Sequence, residues 1–217
     1  MKSVWIVTLV TCACVLSTQA KADLILNGNF SGGNTGFTSG YPYNSSDLPD
    51  GVAYTVDSNS SHFNEYAGNY FDHTTGTGLM LLVDGATSPG VTAWQQTVTV
   101  SPNTTYTWTA FAMSWGQPAN RNGIDPSPAT LLFSANGVQL GPTFAVIAQD
   151  GQWKKFTGTF DSGSSSTAVL KIVDSNTAYI GNDFALDDIS VPEPSNLFVS
   201  GIPSMLVLMR RRRQPRF

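Results

Sequence analysis

The chain of 217 residues carries 11 Lys and Arg against 15 Asp and Glu, and only 12% of its residues are charged. Residues 23–191 hold four of the cations (Arg121, Lys154, Lys155 and Lys171) against 14 acids, a net charge of −10 that excludes binding to nucleic-acid backbones by this region. Both cysteines, Cys12 and Cys14, precede it, which excludes a disulfide framework and thiol chemistry downstream.

In chain order, the first element is a leader. Lys2 precedes an apolar stretch from Val4 to Leu16, and Ala20-Lys21-Ala22 has the A-x-A form of a signal-peptidase site. The apolar stretch is short for a membrane span, so residues 1–22 are read as a signal peptide removed by signal peptidase, with Asp23 as the new first residue. Residues 23–191 are numerous enough to bury a single core without covalent staples.

Within residues 23–191 nothing repeats at helical spacing. Short runs of alternating apolar and polar residues recur instead, separated by turn residues. They predict strands at 24–27, 52–57, 79–83, 92–100, 105–115, 130–135, 138–140, 153–160, 168–174 and 184–191. Asn136-Gly137 is a two-residue hairpin signal, and Ser101-Pro102-Asn103 is a turn between adjacent strands. The expected fold is all-β, an antiparallel β-sandwich of jelly-roll type. Residues 31–51 and 58–77 hold no clear strand. They contain Phe37, Tyr41, Tyr43, Phe63, Tyr66, Tyr70 and Phe71, so they read as ordered rim loops.

Catalytic signals are thin. The chain has no GxSxG elbow, P-loop or dinucleotide glycine pattern. His62 and His73 lie in one polar region and read as solvated loop histidines. The acids are many, yet no spacing sets two of them opposite each other as hydrolysis of a glycoside requires. A non-catalytic protein is expected.

Aromatic residues carry more information. In TYTWTAFAMSW, residues 105–115, one face holds Tyr106, Trp108, Ala110 and Ala112 and reads as core. The other runs from Thr107 and Thr109 to Phe111, Met113 and Trp115. Sugar rings stack on aromatic planes while hydroxyls and amides pair with sugar hydroxyls. Phe111, Trp115, Gln117 and Asn120 are therefore the candidate glycan contacts. The competing reading makes the same residues a second small core under the rim loops. Trp94 and Trp153 read as packing residues. In the last strand, Asp187 shares a face with Ile189 and Val191, and it is a buried carboxylate if that face is the inward one. An inward carboxylate needs a partner, either a structural calcium ion or backbone N–H groups that it caps.

The C-terminus has three parts in order: Val191-Pro192-Glu193-Pro194-Ser195, an apolar run from Leu197 to Met209, and Arg210-Arg211-Arg212-Arg213. This tail, residues 192–217, resembles the PEP-CTERM sorting signal of exported bacterial proteins. The apolar run is interrupted by Ser200, Gly201, Pro203 and Ser204. The resemblance implies a transient transmembrane anchor in the inner membrane of a Gram-negative bacterium and recognition at Pro192-Glu193-Pro194 by an exosortase. The product is then released to the cell surface or an extracellular polysaccharide matrix. Arginines after an apolar segment stay cytoplasmic, which orients Pro192-Glu193-Pro194 outward. Residues 23–191 also resemble the carbohydrate-binding-module-like jelly rolls of such proteins, through Leu26-Asn27-Gly28-Asn29-Phe30 and Asn182-Asp183-Phe184-Ala185-Leu186-Asp187-Asp188-Ile189. Related modules place an acid after the first motif to hold calcium with the late Asp-Asp; that position is Ser31 here. The function expected is a surface or matrix protein that binds extracellular polysaccharide. The alternatives are a matrix assembly protein without a discrete ligand and a polysaccharide hydrolase.

Overall fold

The structure, a computed structural model, describes residues 22–45, 52–116 and 123–194. Ala20, Gln117, Asn120 and Arg210 to Arg213 lie outside the described residues, as does the apolar part of the tail. Among the described residues no helix is long and apolar enough to cross a membrane.

Among the described residues ten strands form two antiparallel sheets: β1 (Tyr54–Asp57), β2 (Met80–Val83), β3 (Val91–Thr99), β4 (Thr105–Ser114), β5 (Thr130–Ala135), β6 (Val138–Gln139), β7 (Phe144–Ala145), β8 (Lys154–Asp161), β9 (Thr167–Asp174) and β10 (Phe184–Ser190). The first sheet runs β1-β2-β10-β4-β8, and the second runs β3-β9-β5-β6 with β7 also on β5. This is the expected jelly-roll sandwich. One four-residue helix, α1 (Ser60–Phe63), was not predicted; the Asn59 side chain caps it by accepting from Ser61 N–H.

The alternation of apolar residues places the core between the sheets. Trp108 and Phe156 from the first sheet meet Trp94, Phe133 and Leu170 from the second, and the Phe133 and Phe156 rings stack 3.6 Å apart. Each buried aromatic removes roughly 150–250 Å² from water, which is how the domain dispenses with disulfides.

No strand forms at 24–27. Asp23 Oδ1 accepts from both Ile25 N–H and Val191 N–H, and the chain curls into a turn with Asn27 and Phe30 at positive φ. Gly28 is obligatory there, because a Cβ would lie 1.9 Å from the Ile189 carbonyl oxygen. Phe30 is fully buried. The Asn-Gly-Asn-Phe motif is thus the N-terminal plug of the sandwich.

The two lateral sides of the sandwich differ. On the β1/β3 side, residues 36–44 run along both sheet edges. Thr38 and Gln95 exchange backbone hydrogen bonds, Gly40 N–H donates to Thr92, and Asn44 N–H donates to Tyr54. Gln96 reinforces this, its amide bonding Leu26 N–H and the Leu26 and Gly36 carbonyls. Tyr41 is buried beneath, donating to Asp174 Oδ2 and accepting from Ala86 N–H. On the opposite side β8 and the short strands β6 and β7, both paired with β5, form the margins, and β8 pairs with β4 alone.

Candidate functional site

The site is built on the outer face of the β10-β4-β8 sheet. Register sets Phe111 opposite Lys155, Thr109 opposite Thr157 and Thr107 opposite Thr159, and residues opposite each other in an antiparallel pair share a face. This face has a covered half and an open half.

Residues 58–79 cover the first half. Phe63 of α1 packs edge-on to Trp115 at 5.8 Å, and Ala53, Ala67, Met80, Leu82, Met113 and Ala185 complete a second apolar cluster. Trp115 is fully buried and its Nε1 donates to the Phe184 carbonyl at 2.8 Å. It is therefore not a glycan platform: the second-core reading holds for Trp115, because a segment some 50 residues upstream folds over it. Trp94 lies in the main core, and Trp153 packs at the margin of the second cluster.

Phe111 is half-buried. His73 stacks on it with ring centroids 3.6 Å apart, and Trp153 meets His73 edge-on. His73 Nδ1 lies 2.7 Å from Asp188 Oδ2, and the Thr74 hydroxyl donates to the same carboxylate. The expectation of two solvated histidines holds for His62, which is exposed beside Asp57. It fails for His73, because Phe111 offers its ring an apolar platform.

The last strand also departs from the regular alternation, just after Asp187. The pairing of β10 with β4 shifts register between Asp187 and Ser190, and Asp188 has a φ of 47°. The bulge follows Asp187: Asp187 keeps to the outer face with Ala185, opposite Phe111, while Ile189 is carried to the main core. Asp187 is fully buried and accepts from the N–H groups of His73 and Asp188. Burial raises its pKa to about 7 against the pull of those N–H donors. The carboxylate ties His73 of the covering loop to β10. Ser31, at the position where related modules carry an acid, instead donates its hydroxyl to Asn29. Among the described residues no group of three or more His, Cys, Asp or Glu side chains converges as a metal site.

The open half belongs to β8. Lys155, Thr157 and Thr159 are exposed, and beyond its free edge residues 140–144 form the opposing wall of an open cleft of about 430 Å³. Thr143, Thr157 and Thr159 supply hydroxyls, and Phe144 supplies a half-buried ring. The Phe144 ring is held edge-on by Phe133 and Phe156. Lys154 fixes this wall, its Nζ donating to Ala145 O at 2.6 Å and lying 4.6 Å from the Phe144 centroid. No sequence signal singled out the cleft, because β7 is only two residues long. The Lys154-Lys155 pair in an acidic domain and the alternating Thr157 and Thr159 were the readable hints.

Two acids do converge elsewhere. Ser114 Oγ lies 2.6 Å from Asp125 Oδ2 and 3.0 Å from Asp150 Oδ1, with both carboxyl groups buried. Sealed in this way they tie chain segments together, and neither lines the cleft.

No family model matches the chain, and no curated protein matches it. Solved structures do. The CBM22-1 xylan-binding domain from Paenibacillus barcinonensis Xyn10C is 16% identical over 82% of this chain and 100% of its own, with a TM-score of 0.50. The module TmCBM61, solved in complex with β-1,4-galactotriose, is 8% identical over 80% of this chain and 99% of its own, with a TM-score of 0.51. The EclA C-terminal domain, a sugar-binding protein, is 23% identical with a TM-score of 0.38; the match covers 45% of this chain and 64% of that one. Parts of larger enzyme chains match as well. At these identities the likeness establishes the fold, a jelly roll of the carbohydrate-binding-module type.

Proposed function

We propose that this chain is an exported, non-catalytic glycan-binding protein that holds polysaccharide along β8. The observation that carries the reading is the cleft of about 430 Å³, a volume within the usual range of roughly 300–1,000 Å³ for small-ligand sites. It combines hydroxyls, an aromatic ring and an unpaired strand edge, the groups that meet sugar hydroxyls and sugar faces. The likeness in fold to carbohydrate-binding modules agrees with it. Titration of the full-length chain against a broad glycan panel tests the reading. Binding is expected, and Thr157→Asp, which alters an exposed position, abolishes it without unfolding the protein. Flat isotherms across the panel would sink the claim.

Export and sorting belong to the same proposal. Residues 1–22 act as the leader, residues 23–191 as the working domain and residues 192–217 as the sorting segment. Signal peptidase cuts after Ala22, and an exosortase acts at Pro192-Glu193-Pro194, with Arg210 to Arg213 orienting a transient inner-membrane anchor. The product reaches the cell surface or matrix. The reading is supported by the pairing of the two ends: Leu24 N–H donates to Val191 O, and Glu193 N–H donates to Ala22 O at 2.9 Å. Cleavage after Ala22 removes the acceptor for Glu193 and loosens the motif, while Asp23 still holds Val191. Labelling of the mature N- and C-termini by mass spectrometry tests both cuts; a mature chain retaining residues 195–217 contradicts sorting by cleavage.

A second reading, matrix assembly without a discrete ligand, is favoured by the unpaired edge of the eight-residue β8. It predicts concentration-dependent association in analytical ultracentrifugation.

A further inference from the structure

We propose that the β8 cleft takes an anionic sugar, a carboxylate-bearing unit of a polysaccharide, with Lys155 as its charge contact. The proposal rests on the glycan-binding reading and adds the ligand's class. Its basis is where the few cations lie. Residues 23–191 hold four cations against 14 acids, yet the ten residues lining the cleft include a lysine and no acid. Lys154, the neighbouring cation, stiffens the opposing wall through Ala145 O and the Phe144 ring. Two of the four cations therefore converge on one cleft in a domain that otherwise repels anions.

Among the described residues Lys155 makes no ion pair. It is exposed, and the ion pairs among the described residues are His62–Asp57 and His73–Asp188. Its Nζ lies 5.6 Å from the Phe111 ring centroid, so the ammonium lies over the outer face of the sheet. A neutral sugar's hydroxyls can accept from the ammonium, but a carboxylate forms the stronger ion-paired, charge-assisted hydrogen bond. The nearest acid on the strand, Asp161, accepts from the Thr105 hydroxyl directly across from it. A single point charge without an arginine fork suits a monoanionic carboxylate better than a phosphate group. The surrounding −10 body then acts as a filter: a polyanion is repelled everywhere except where it sets a carboxylate on Lys155.

The test titrates the full-length chain, in a non-glycosidic detergent, with polygalacturonate, alginate and hyaluronate and with their carboxyl-reduced, neutral counterparts. Binding to at least one polyuronate is expected, with its reduced form bound at least tenfold more weakly. Affinity falls as salt rises from about 50 to about 500 mM, because exposed charge pairs are screened. Lys155→Gln weakens binding about five- to tenfold. Lys155→Arg retains it, and Lys171→Gln, which removes the same charge from β9 in the other sheet, leaves it unchanged. Equal binding of a polyuronate and its neutral counterpart, or no effect of Lys155→Gln, overturns the anionic assignment and leaves glycan binding standing. Binding of neutral glycans alone overturns it likewise. No binding to any polymer, charged or neutral, overturns both.

Discussion

The sandwich has two lateral sides made from the same kind of strand edge, and the chain treats them in opposite ways. On the β1/β3 side, residues 36–44 satisfy the edge with backbone hydrogen bonds, Gln96 ties in the N-terminal turn, and Tyr41 is buried beneath. On the β8 side nothing comparable among the described residues covers the edge, which borders a cleft lined by hydroxyls and a lysine. An unpaired edge invites aggregation and is normally blocked. One side left open while the other is laced is the contrast on which the proposed glycan site rests. The outer face of the first sheet repeats the contrast at smaller scale, buried under α1 at Trp115 and exposed at Thr157 and Thr159.

That contrast can be broken in graded steps. The largest effect is expected on the covered half of the sheet, from Trp115→Ala, which empties the second apolar cluster and orphans the Phe184 carbonyl. It costs about 3–5 kcal/mol in denaturant unfolding. A glycan-contact role would instead leave the unfolding midpoint unchanged. On the laced side, Gln96→Ala strips partners from Leu26 N–H and from the Leu26 and Gly36 carbonyls. A loss of about 2–3 kcal/mol follows, with faster proteolysis within residues 26–44 as the local readout.

Stability against pH gives an intermediate effect. Burial raises Asp187 to about 7 and Asp174 to about 6, and burial with Asp84 nearby also raises Asp183. For carboxyls raised above their usual 3.8, the folded state holds more protons than the unfolded one between the two values. Stability therefore falls as pH climbs through about 6 to 7. Asp72 works in the opposite direction. The N–H groups of Thr75 and Gly78 outweigh its burial and lower its pKa, so its contribution is lost below the usual carboxylate range. Melting temperature is expected to be several degrees higher at pH 5 than at pH 8 and to fall again under strong acid; a maximum above pH 8 would contradict the burial of these groups. The smallest effect lies on the open side, where Lys155→Gln changes stability by no more than about 0.5 kcal/mol in either direction. A cost several times larger would show that the exposed face is structural after all.

Much of the fold was legible because alternation is a direct imprint of a sheet with one buried face. The runs at 105–115, 130–135 and 168–174 meet β4, β5 and β9 within a residue or so. The failures share a cause in long-range contact or a one-residue defect. Trp115 sits on the face its spacing assigns, but only Phe63 and Ala67 decide that this face is covered. Ile189 leaves the face of Asp187 because of the bulge at Asp188, which no periodicity reveals in advance. His73 acquires its position from Phe111 and Asp188, both far along the chain. The cleft escaped because Phe144 lies on a two-residue strand, too short to show a period. Only the charge imbalance around Lys154 and Lys155 was visible beforehand, and it points to the same place.

The central claim, that the open side binds glycan and the laced side holds the fold, is tested most directly by backbone hydrogen exchange on the full-length chain with and without saturating polysaccharide. Slowed exchange is predicted in residues 140–144 and 155–159, with residues 36–44 unchanged. Protection confined to residues 36–44, or no change in residues 155–159 at saturation, would contradict the account.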